Sequence, residues 1–335
     1  MSEPILKPKR LAYVRVAASD LAEATAFLQE FGLQVATRTD GAIYFRGTDP
    51  APPCYVLTEG EGGVTAIAFE AESLADLEAI SRVEASPIEK LDEPGGGQVV
   101  RLRDPQGTQV EIVHGQVPLA PIDTAPPHEY NMDGRRPRRG ALPGFRPGAS
   151  HVKRIGHLVL ESGDPISVYR WYAERFGLRK SDAVTLPNGK TQMLFAALDR
   201  GAEFVDHHVV GFQYSMDEGA RVQHVAFEVD NFDDLMAGHD FLKSKGRKPV
   251  WGVGRHRFGG QIFDYWANPG GVIHEHWTDT DLVNEDHVPS DCGLDDLEDY
   301  WGPPPSLAFV VARWNWKAVR NVVSVLSARI RGARQ

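Results

Sequence analysis

The sequence has few cysteines and no long apolar segment. Only Cys54 and Cys292 occur among its 335 residues, too few for a disulfide framework or a metal cage built of thiolates. No apolar run reaches the length of about 18 residues that a membrane-spanning helix needs. The first ten residues lack the apolar core of a signal peptide. We therefore expect a protein of the reducing cytoplasm that has no membrane partner.

An excess of positive charge is also missing. The formal net charge is −10, so we do not expect nucleic acid as a partner. Hydrophobic residues make up 42% of the chain and charged residues 24%, which is typical of a globular protein, and the length suits two domains of ordinary size.

The chain contains an internal duplication. A short alternating strand and a Phe-Gly-Leu tripeptide open each half, and two further landmarks follow in the same order. The matched segments are 11–16 with 155–160, 31–33 with 176–178, 66–70 with 224–228, and 104–107 with 268–271. Three matched landmarks in one order predict a repeat of roughly 120 residues.

Both halves of the duplication predict the same succession of elements. A strand is followed by an amphipathic helix, which ends near Phe-Gly-Leu, and by short strands. The Ala-Phe-Glu strand then leads to a second helix, starting near Ser73 or Asn231, and a Pro-Gln-Gly or Pro-Gly-Gly turn feeds the last strand. We therefore predict domains at 1–117 and 151–283, with a proline-rich connector at 118–150.

The remaining segment, 284–335, is predicted to be a tail. It contains an acidic stretch, and residues between Val319 and Ile330 are apolar at helical spacing with arginines on the other face. Such a helix docks on the protein's own body or on a neighbouring subunit, or it binds a membrane surface. The arginine cluster at 135–139 is interpreted as a solvated or subunit-contact segment.

Three residues of the second half are candidate metal ligands. His157, His224 and Glu275 each lie in a predicted strand at a landmark of the repeat. Side chains alternate across a strand, so all three can face one side of a curved sheet. Two imidazoles and one carboxylate form the facial triad expected of non-haem Fe(II) oxygenases, which leaves coordination positions open.

The motif around the last candidate ligand makes the resemblance specific. His256, Tyr265 and the Asn-Pro-Gly-Gly turn at 268–271 precede Glu275. In this arrangement the sequence resembles the type I extradiol ring-cleaving dioxygenases of the vicinal oxygen chelate superfamily, over residues 8–283. The resemblance implies an α+β fold of tandem βαβββ modules, two per domain, forming curved-sheet barrels. It also implies an N-terminal domain without catalytic function.

The resemblance further implies the chemistry of the site. The metal would be Fe(II), with Mn(II) possible, held by His157, His224 and Glu275. A catechol-type substrate and O2 would be the small-molecule partners, and ring cleavage beside the hydroxyls would give a muconic semialdehyde-type product. The implied catalytic residues are His256, Tyr265 and an acid–base histidine, for which His208 is favoured over His207. A homo-oligomer is expected.

The first half lacks most of these groups. The positions that match the ligands are Tyr13, Ala66 and Glu111, and Arg101 stands in place of the tyrosine. One ligand of three cannot hold the metal, so Glu111 is interpreted as a structural residue.

Two other functions remain open on the same fold. Glyoxalase-like isomerases or transferases also bind metal through His and Glu, but they usually draw ligands from both modules. A binding protein would hold an aromatic compound without turnover. Residues interpreted as shaping the pocket are Trp251, Arg255, Trp266 and Phe195, whereas His274 and His276 are predicted to face away from it.

Overall fold

The computed structural model describes residues 3–124, 129–140, 147–216, 221–293, 299–306 and 309. The helices are α1 (Leu21–Phe31), α2 (Leu74–Glu84), α3 (Pro165–Phe176) and α4 (Phe232–Ser244). The strands before the connector are β1 (Arg10–Ala18), β2 (Gln34–Arg38), β3 (Ile43–Arg46), β4 (Tyr55–Glu59), β5 (Gly63–Glu70), β6 (Glu89–Lys90), β7 (Gln98–Arg103) and β8 (Gln109–His114). The later strands are β9 (Val152–Ser162), β10 (Arg179–Thr185), β11 (Thr191–Ala197), β12 (Val205–Asp206), β13 (Val210–Tyr214), β14 (Arg221–Val229), β15 (Pro249–Arg255), β16 (Ile262–Ala267), β17 (Ile273–Thr278), β18 (Leu282–Val283) and β19 (Ser290–Cys292).

Side-chain caps fix where the helices begin. Asp20 Oδ1 accepts a hydrogen bond from the Glu23 amide at 2.9 Å, and Ser73 forms a reciprocal capping box with Asp76. Asn231 caps α4 in the same way. These polar side chains satisfy amides that a helix leaves unpaired in its first turn. The helix starts predicted near Ser73 and Asn231 are therefore confirmed.

Two large sheets form the body of the molecule. The first has the strand order β2-β3-β4-β1-β5-β8-β7-β6, and the second has the order β15-β16-β17-β14-β9-β13-β11-β10-β19. Each sheet joins two βαβββ modules through one central antiparallel pair, β1 with β5 and β9 with β14. The predicted α+β fold of tandem modules is confirmed, with open curved sheets in place of closed barrels.

The strand registers agree with the duplication. In the first sheet Tyr13 pairs with Ala68, which pairs with Glu111. In the second sheet His157 pairs with Ala226, which pairs with Glu275. The positions matched from the sequence are therefore structurally equivalent.

The second sheet continues past residue 283, where the tail was predicted to start. The short strand β19 pairs in parallel with β10, and the Ser290 amide donates to Asp182 Oδ1 at 2.8 Å. The domain boundaries themselves stay a prediction. The predicted helix between Val319 and Ile330 lies outside the described residues. No helix in the described part of the chain has the length and apolarity to cross a membrane.

A shared core holds the two sheets together, and the histidines beside Glu275 contribute to it. His276 Nε2 donates to the backbone oxygen of Phe31 at 2.6 Å, and His274 Nε2 lies 3.2 Å from Tyr55 Oη. Burial lowers the pKa of His274 to about 4 and that of His276 to about 3. Both side chains face residues of the first half of the chain and point away from Glu275, as the alternation of a strand predicts.

Gly156 lies at an irregularity of β9, immediately before His157. The register between β9 and β14 shifts there, because Ala226 pairs with His157 and Phe227 pairs with Ile155. A Cβ atom on Gly156 would lie 2.4 Å from Cζ2 of the buried Trp277 ring. The indole therefore packs directly against the backbone beside His157, which only glycine permits.

We expect Gly156→Ala to destabilise the protein by about 1–3 kcal/mol, because Trp277 or β9 must move to relieve the overlap. Denaturant unfolding followed by tryptophan fluorescence measures the change. Gly41→Ala is the matched control: its Cβ would meet nothing within 4 Å, so its effect should stay within about 0.5 kcal/mol. Equal stabilities of the two variants would contradict the packing argument.

Candidate metal centre

Three neighbouring strands bring the candidate ligands together. His157 on β9 and Glu275 on β17 both pair with Ala226 of the intervening strand β14. Adjacent strands lie about 4.8 Å apart, so the two side chains reach toward each other across the small methyl group of Ala226. His224 lies two residues earlier on β14 and therefore projects from the same face. One potential ligand atom from each of the three residues lies within 4.8 Å of the other two.

The three side chains are buried, and the two imidazoles point at one carboxylate oxygen of Glu275. His157 Nε2 lies 3.0 Å and His224 Nε2 3.2 Å from Glu275 Oε2. Burial by itself raises the pKa of Glu275, but the two imidazoles lower it by more, so the carboxyl is held below its ordinary pKa. The carboxylate is therefore ionised at neutral pH.

The hydrogen bonds at this site are incomplete, which is what a cation site requires. Among the described residues, Glu275 Oε1 is buried without a hydrogen-bond partner, and His224 Nε2 forms no hydrogen bond although it lies 3.2 Å from Glu275 Oε2. Gln223 Oε1 lies within hydrogen-bond distance of His224 Nδ1. When Nδ1 donates to this oxygen, the lone pair of Nε2 points toward Glu275, so a carboxylate and a lone pair face each other in a dry site. A divalent cation between them satisfies both, and the residues fit such an ion.

The equivalent position in the first sheet has no such deficit. Glu111 accepts hydrogen bonds from Tyr13 Oη at 2.6 Å, Arg15 Nε at 2.8 Å, Arg101 Nε at 3.1 Å and Gln109 Nε2 at 2.8 Å. Burial raises its pKa, but Arg15 and these donors lower it by more. The charge of Glu111 is therefore balanced by guanidinium groups, so no ion is needed there.

A histidine lies on one side of the triad. The His208 ring is 4.3 Å from the His157 ring and 4.9 Å from Phe195. Burial lowers the pKa of His208 well below its ordinary value, and His157 and His207 lower it further. His207 is bonded through both ring nitrogens, because its Nε2 lies 2.8 Å from Asp182 Oδ2 and its Nδ1 lies 3.1 Å from His208 Nδ1. Of the two candidates for the acid–base role, His208 is the one that contacts a triad residue.

Tyr265 and His256 lie on the other side of the triad. The Tyr265 ring is 5.2 Å from the His224 ring, and its hydroxyl is 2.9 Å from His256 Nε2. Burial raises the pKa of Tyr265 well above its ordinary value, and the charge of Glu275 raises it further. The phenol therefore keeps its proton and can donate a hydrogen bond.

Of the four residues interpreted as shaping the pocket, two contact residues of the candidate site. Trp251 stacks on Tyr265 with ring centroids 5.5 Å apart, and Phe195 contacts His208. The prediction for Trp266 is wrong. Trp266 directly follows Tyr265 on a strand, so its side chain lies on the opposite face. There it is fully buried, and its Nε1 donates to Asp264 at 2.6 Å. Arg255 forms an ion pair with Asp279 at the rim.

Sequence reasoning missed three groups near the site. Gln223 was not singled out, although it directly precedes His224. Asp299 contacts His256, and Phe309 packs 4.9 Å from Tyr265. The last two come from the predicted tail, and no spacing rule connects them to residues more than 40 positions away.

Comparisons with known proteins agree with this geometry. Residues 154–275 match the family model described as Glyoxalase/Bleomycin resistance protein/Dioxygenase superfamily. These residues contain the whole triad. The predicted resemblance to extradiol dioxygenases of this superfamily is confirmed by the names of several relatives.

Three relatives cover most of the chain. Metapyrocatechase 2 of Cupriavidus necator is 26% identical, and the matched region covers 87% of this chain and 88% of that protein. An iron-dependent extradiol dioxygenase of Rhodococcus jostii is 26% identical, with 78% and 86% covered. A manganese-dependent 2,3-dihydroxybiphenyl 1,2-dioxygenase of Geobacillus genomosp. 3 is 24% identical, with 78% and 82% covered.

Two solved structures share the fold. The homoprotocatechuate 2,3-dioxygenase of Arthrobacter globiformis has a TM-score of 0.75 at 21% identity, with 93% of each chain covered. A Mn(II)-bound glyoxalase from Novosphingobium aromaticivorans has a TM-score of 0.74 at 24% identity, with 90% of this chain and 92% of that chain covered.

We expect Ala226→Leu to abolish binding of a divalent metal, because the larger side chain fills the space across which His157 and Glu275 approach each other. Calorimetric titration of the metal-free protein with Mn(II) measures the loss. Ala68→Leu is the matched control, since Ala68 occupies the equivalent position between Tyr13 and Glu111. The control should keep its metal affinity if it remains folded by circular dichroism. Tight Mn(II) binding by the Ala226 variant would argue against the site.

Proposed function

We propose that this protein is a metal-dependent extradiol dioxygenase, which cleaves the ring of a catechol-type substrate beside its vicinal hydroxyls. The observation that carries the proposal is the arrangement of His208 and Tyr265 on opposite sides of the triad of His157, His224 and Glu275. The names of the relatives support the same reaction class. The product would be a muconic semialdehyde-type compound.

The metal site would anchor the substrate. A divalent metal held by His157, His224 and Glu275 supplies Lewis acidity to the two hydroxyls of a catechol and connects the ring electronically to O2. His208, Tyr265 and His256 lie near the triad and are polar groups suited to these oxygens. Fe(II) is the metal we propose, because two imidazoles and one carboxylate suit non-haem iron. Mn(II) is the alternative, and relatives named for each metal occur.

The side chains around the triad would manage protons and orientation. His208 is neutral at pH 7 because it is buried, so it can accept the proton of a substrate hydroxyl and later return it. Tyr265 keeps its proton, which it can donate in a hydrogen bond to His256 Nε2, so its hydroxyl oxygen can accept a hydrogen bond from a substrate hydroxyl. His256 accepts from or donates to Tyr265, and it completes the polar side of the pocket. Trp251 and Phe195 would exclude water from the ring.

The first domain would serve the structure rather than the chemistry. We propose the division into an N-terminal non-catalytic domain at 1–117, a connector at 118–150, a catalytic domain at 151–283 and a tail at 284–335. In support, Glu111 is saturated by arginines, and the first domain packs against His274 and His276 behind the metal ligands. A homo-oligomer stays a prediction.

A glyoxalase-like isomerase is the alternative that a specific observation favours. The fold is shared with a Mn(II)-bound glyoxalase, and the same three ligands would suit an isomerase. The proton-handling groups distinguish the two functions, because His208, His256 and Tyr265 surround a triad that one sheet supplies entirely. A binding protein without turnover would have no use for these groups.

The proposal is tested by oxygen uptake. Protein purified without oxygen and loaded with Fe(II) is mixed with a panel of catechols, and a strongly absorbing ring-opened product is followed. We expect stoichiometric uptake with at least one catechol and none with His224→Ala, which lacks a ligand. Uptake by that variant at the wild-type rate would refute the ligand assignment. Isomerisation of a hemithioacetal without oxygen uptake would establish the alternative.

We expect His208→Phe to lower kcat by about 10²-fold or more, because the proton acceptor is lost, while Fe(II) binding stays intact. Steady-state oxygen consumption and iron analysis measure the two effects. His207→Phe is the companion variant, since His207 contacts Asp182 and not the triad. A larger loss of kcat in the His207 variant would transfer the acid–base role to that residue.

A further inference from the structure

An acidic residue of the tail contacts the candidate catalytic groups. Asp299 Oδ1 lies 2.9 Å from His256 Nδ1, and His256 Nε2 lies 2.9 Å from Tyr265 Oη. The side chains of His256 and Asp299 are 21% and 15% exposed, so this contact is shielded from most of the solvent. The three residues form one hydrogen-bonded chain that ends at the triad.

The backbone around Asp299 is fixed to the catalytic sheet. The Tyr300 amide donates to the Arg255 oxygen at 2.9 Å, and the Arg255 amide donates to the Trp301 oxygen at 2.8 Å. Trp251 Nε1 donates to the Pro303 oxygen at 2.8 Å. These bonds attach residues 299–303, which we call the strap, to the end of β15.

Two glycines permit this attachment. Gly302 has a φ of +134°, and a Cβ atom there would lie 2.7 Å from the Cα atom of Gly254. A Cβ on Gly254 would lie 3.0 Å from the Trp301 oxygen and 2.5 Å from the Phe263 ring. A side chain at either position would push the strap away, so the sequence is specifically suited to this close contact.

The chemistry of the three groups determines which atom donates and which accepts in each hydrogen bond. An ionised carboxylate only accepts hydrogen bonds, so His256 Nδ1 must carry a proton to bond Asp299. In the neutral imidazole, Nε2 then carries a lone pair, which accepts a hydrogen bond from the Tyr265 hydroxyl. Tyr265 stacks against Trp251, which limits its ring to one orientation. The tail carboxylate thereby determines both the tautomer of His256 and the direction of the Tyr265 hydroxyl.

We propose that Asp299 is a positioning residue for the reaction: through the strap, the tail supplies the carboxylate that orients His256 and Tyr265 toward the substrate. The proposal rests on the proposed function, because it assigns a role within that site. Asp299 itself does not touch the substrate. Its contribution is to hold one of two tautomers and one of two ring orientations of His256, as a carboxylate does for a catalytic histidine in other enzymes.

The variant that tests this is Asp299→Asn. The amide has the size of the carboxylate, but it can donate as well as accept, so it no longer dictates which nitrogen of His256 is protonated. We expect kcat to fall by about 10-fold to 100-fold, with KM changed by no more than about twofold. Asp299→Glu should recover part of kcat. The matched control is Asp291→Asn, which removes the same charge from the tail at an exposed residue paired with Lys180.

A second measurement does not depend on turnover. Full-length chain labelled with ¹⁵N-histidine and loaded with diamagnetic Zn(II) reports the tautomer of His256 in long-range ¹H–¹⁵N spectra, with His256→Gln providing the assignment. We expect wild type and the Asp291 control to carry the proton on Nδ1. The Asp299→Asn variant should show the other tautomer or a mixture of the two.

The outcomes separate this proposal from the proposed function. An active enzyme whose His256 tautomer and kcat are unchanged in Asp299→Asn would overturn the positioning role. A chain without oxygen uptake on any catechol, whose His256 tautomer still changes in that variant, would refute the dioxygenase and retain the structural coupling. A fall in kcat equal to that of the Asp291 control would also overturn the proposal, because it would reflect charge alone.

Discussion

The whole candidate site depends on the register of three neighbouring strands. Because β9, β14 and β17 pair so that His157, Ala226 and Glu275 lie in one row, the two outer side chains meet above a methyl group. A slip of one residue in any of these strands would turn a ligand to the opposite face. Packing behind the row fixes the register: Trp277 lies against Gly156, and His274 and His276 contact Tyr55 and Phe31 in the first half of the chain.

The two sheets have the same strand register, but the charge of the buried carboxylate is compensated differently in each. Glu111 and Glu275 are equivalent buried carboxylates, and a buried charge must be compensated. Around Glu111 the compensation comes from Arg15, Arg101 and neutral donors. Around Glu275 the neighbours are imidazoles, and one carboxylate oxygen has no hydrogen-bond partner among the residues that the structure describes. The difference lies in side chains alone, so one backbone scaffold produces a closed ion-pair cluster in one half and a site for a cation in the other.

The tail links the edge of the second sheet to its centre. The strap is attached at the end of β15, the edge strand of the second sheet, where free backbone groups are available for pairing. Asp299 and Phe309 then extend over His256 and Tyr265. Three parts of the chain therefore meet at the candidate site: the central strands supply the candidate metal ligands, the segment before β13 supplies His208, and the tail supplies Asp299 and Phe309.

The sequence by itself determined the elements and the candidate ligands. Helix caps, strand alternation and the duplication depend on residues close in the chain or on a repeated pattern, and a pattern present twice reveals which positions are equivalent. The triad could be named because each member occupies a landmark of that repeat. Trp266 follows the same rule, since it comes directly after Tyr265 on β16 and strand alternation therefore places it on the far face.

Tertiary structure decided the rest, because the deciding contacts join residues that no periodicity relates. The choice of His208 over His207 for contact with the triad followed from the bond between His207 and Asp182. The partner of His256 came from a tail 43 positions away, and the saturation of Glu111 required four donors from three strands. Such contacts depend on how the strands pair and on where a connection returns to the sheet. Neither can be read from the order of residues in a single sequence.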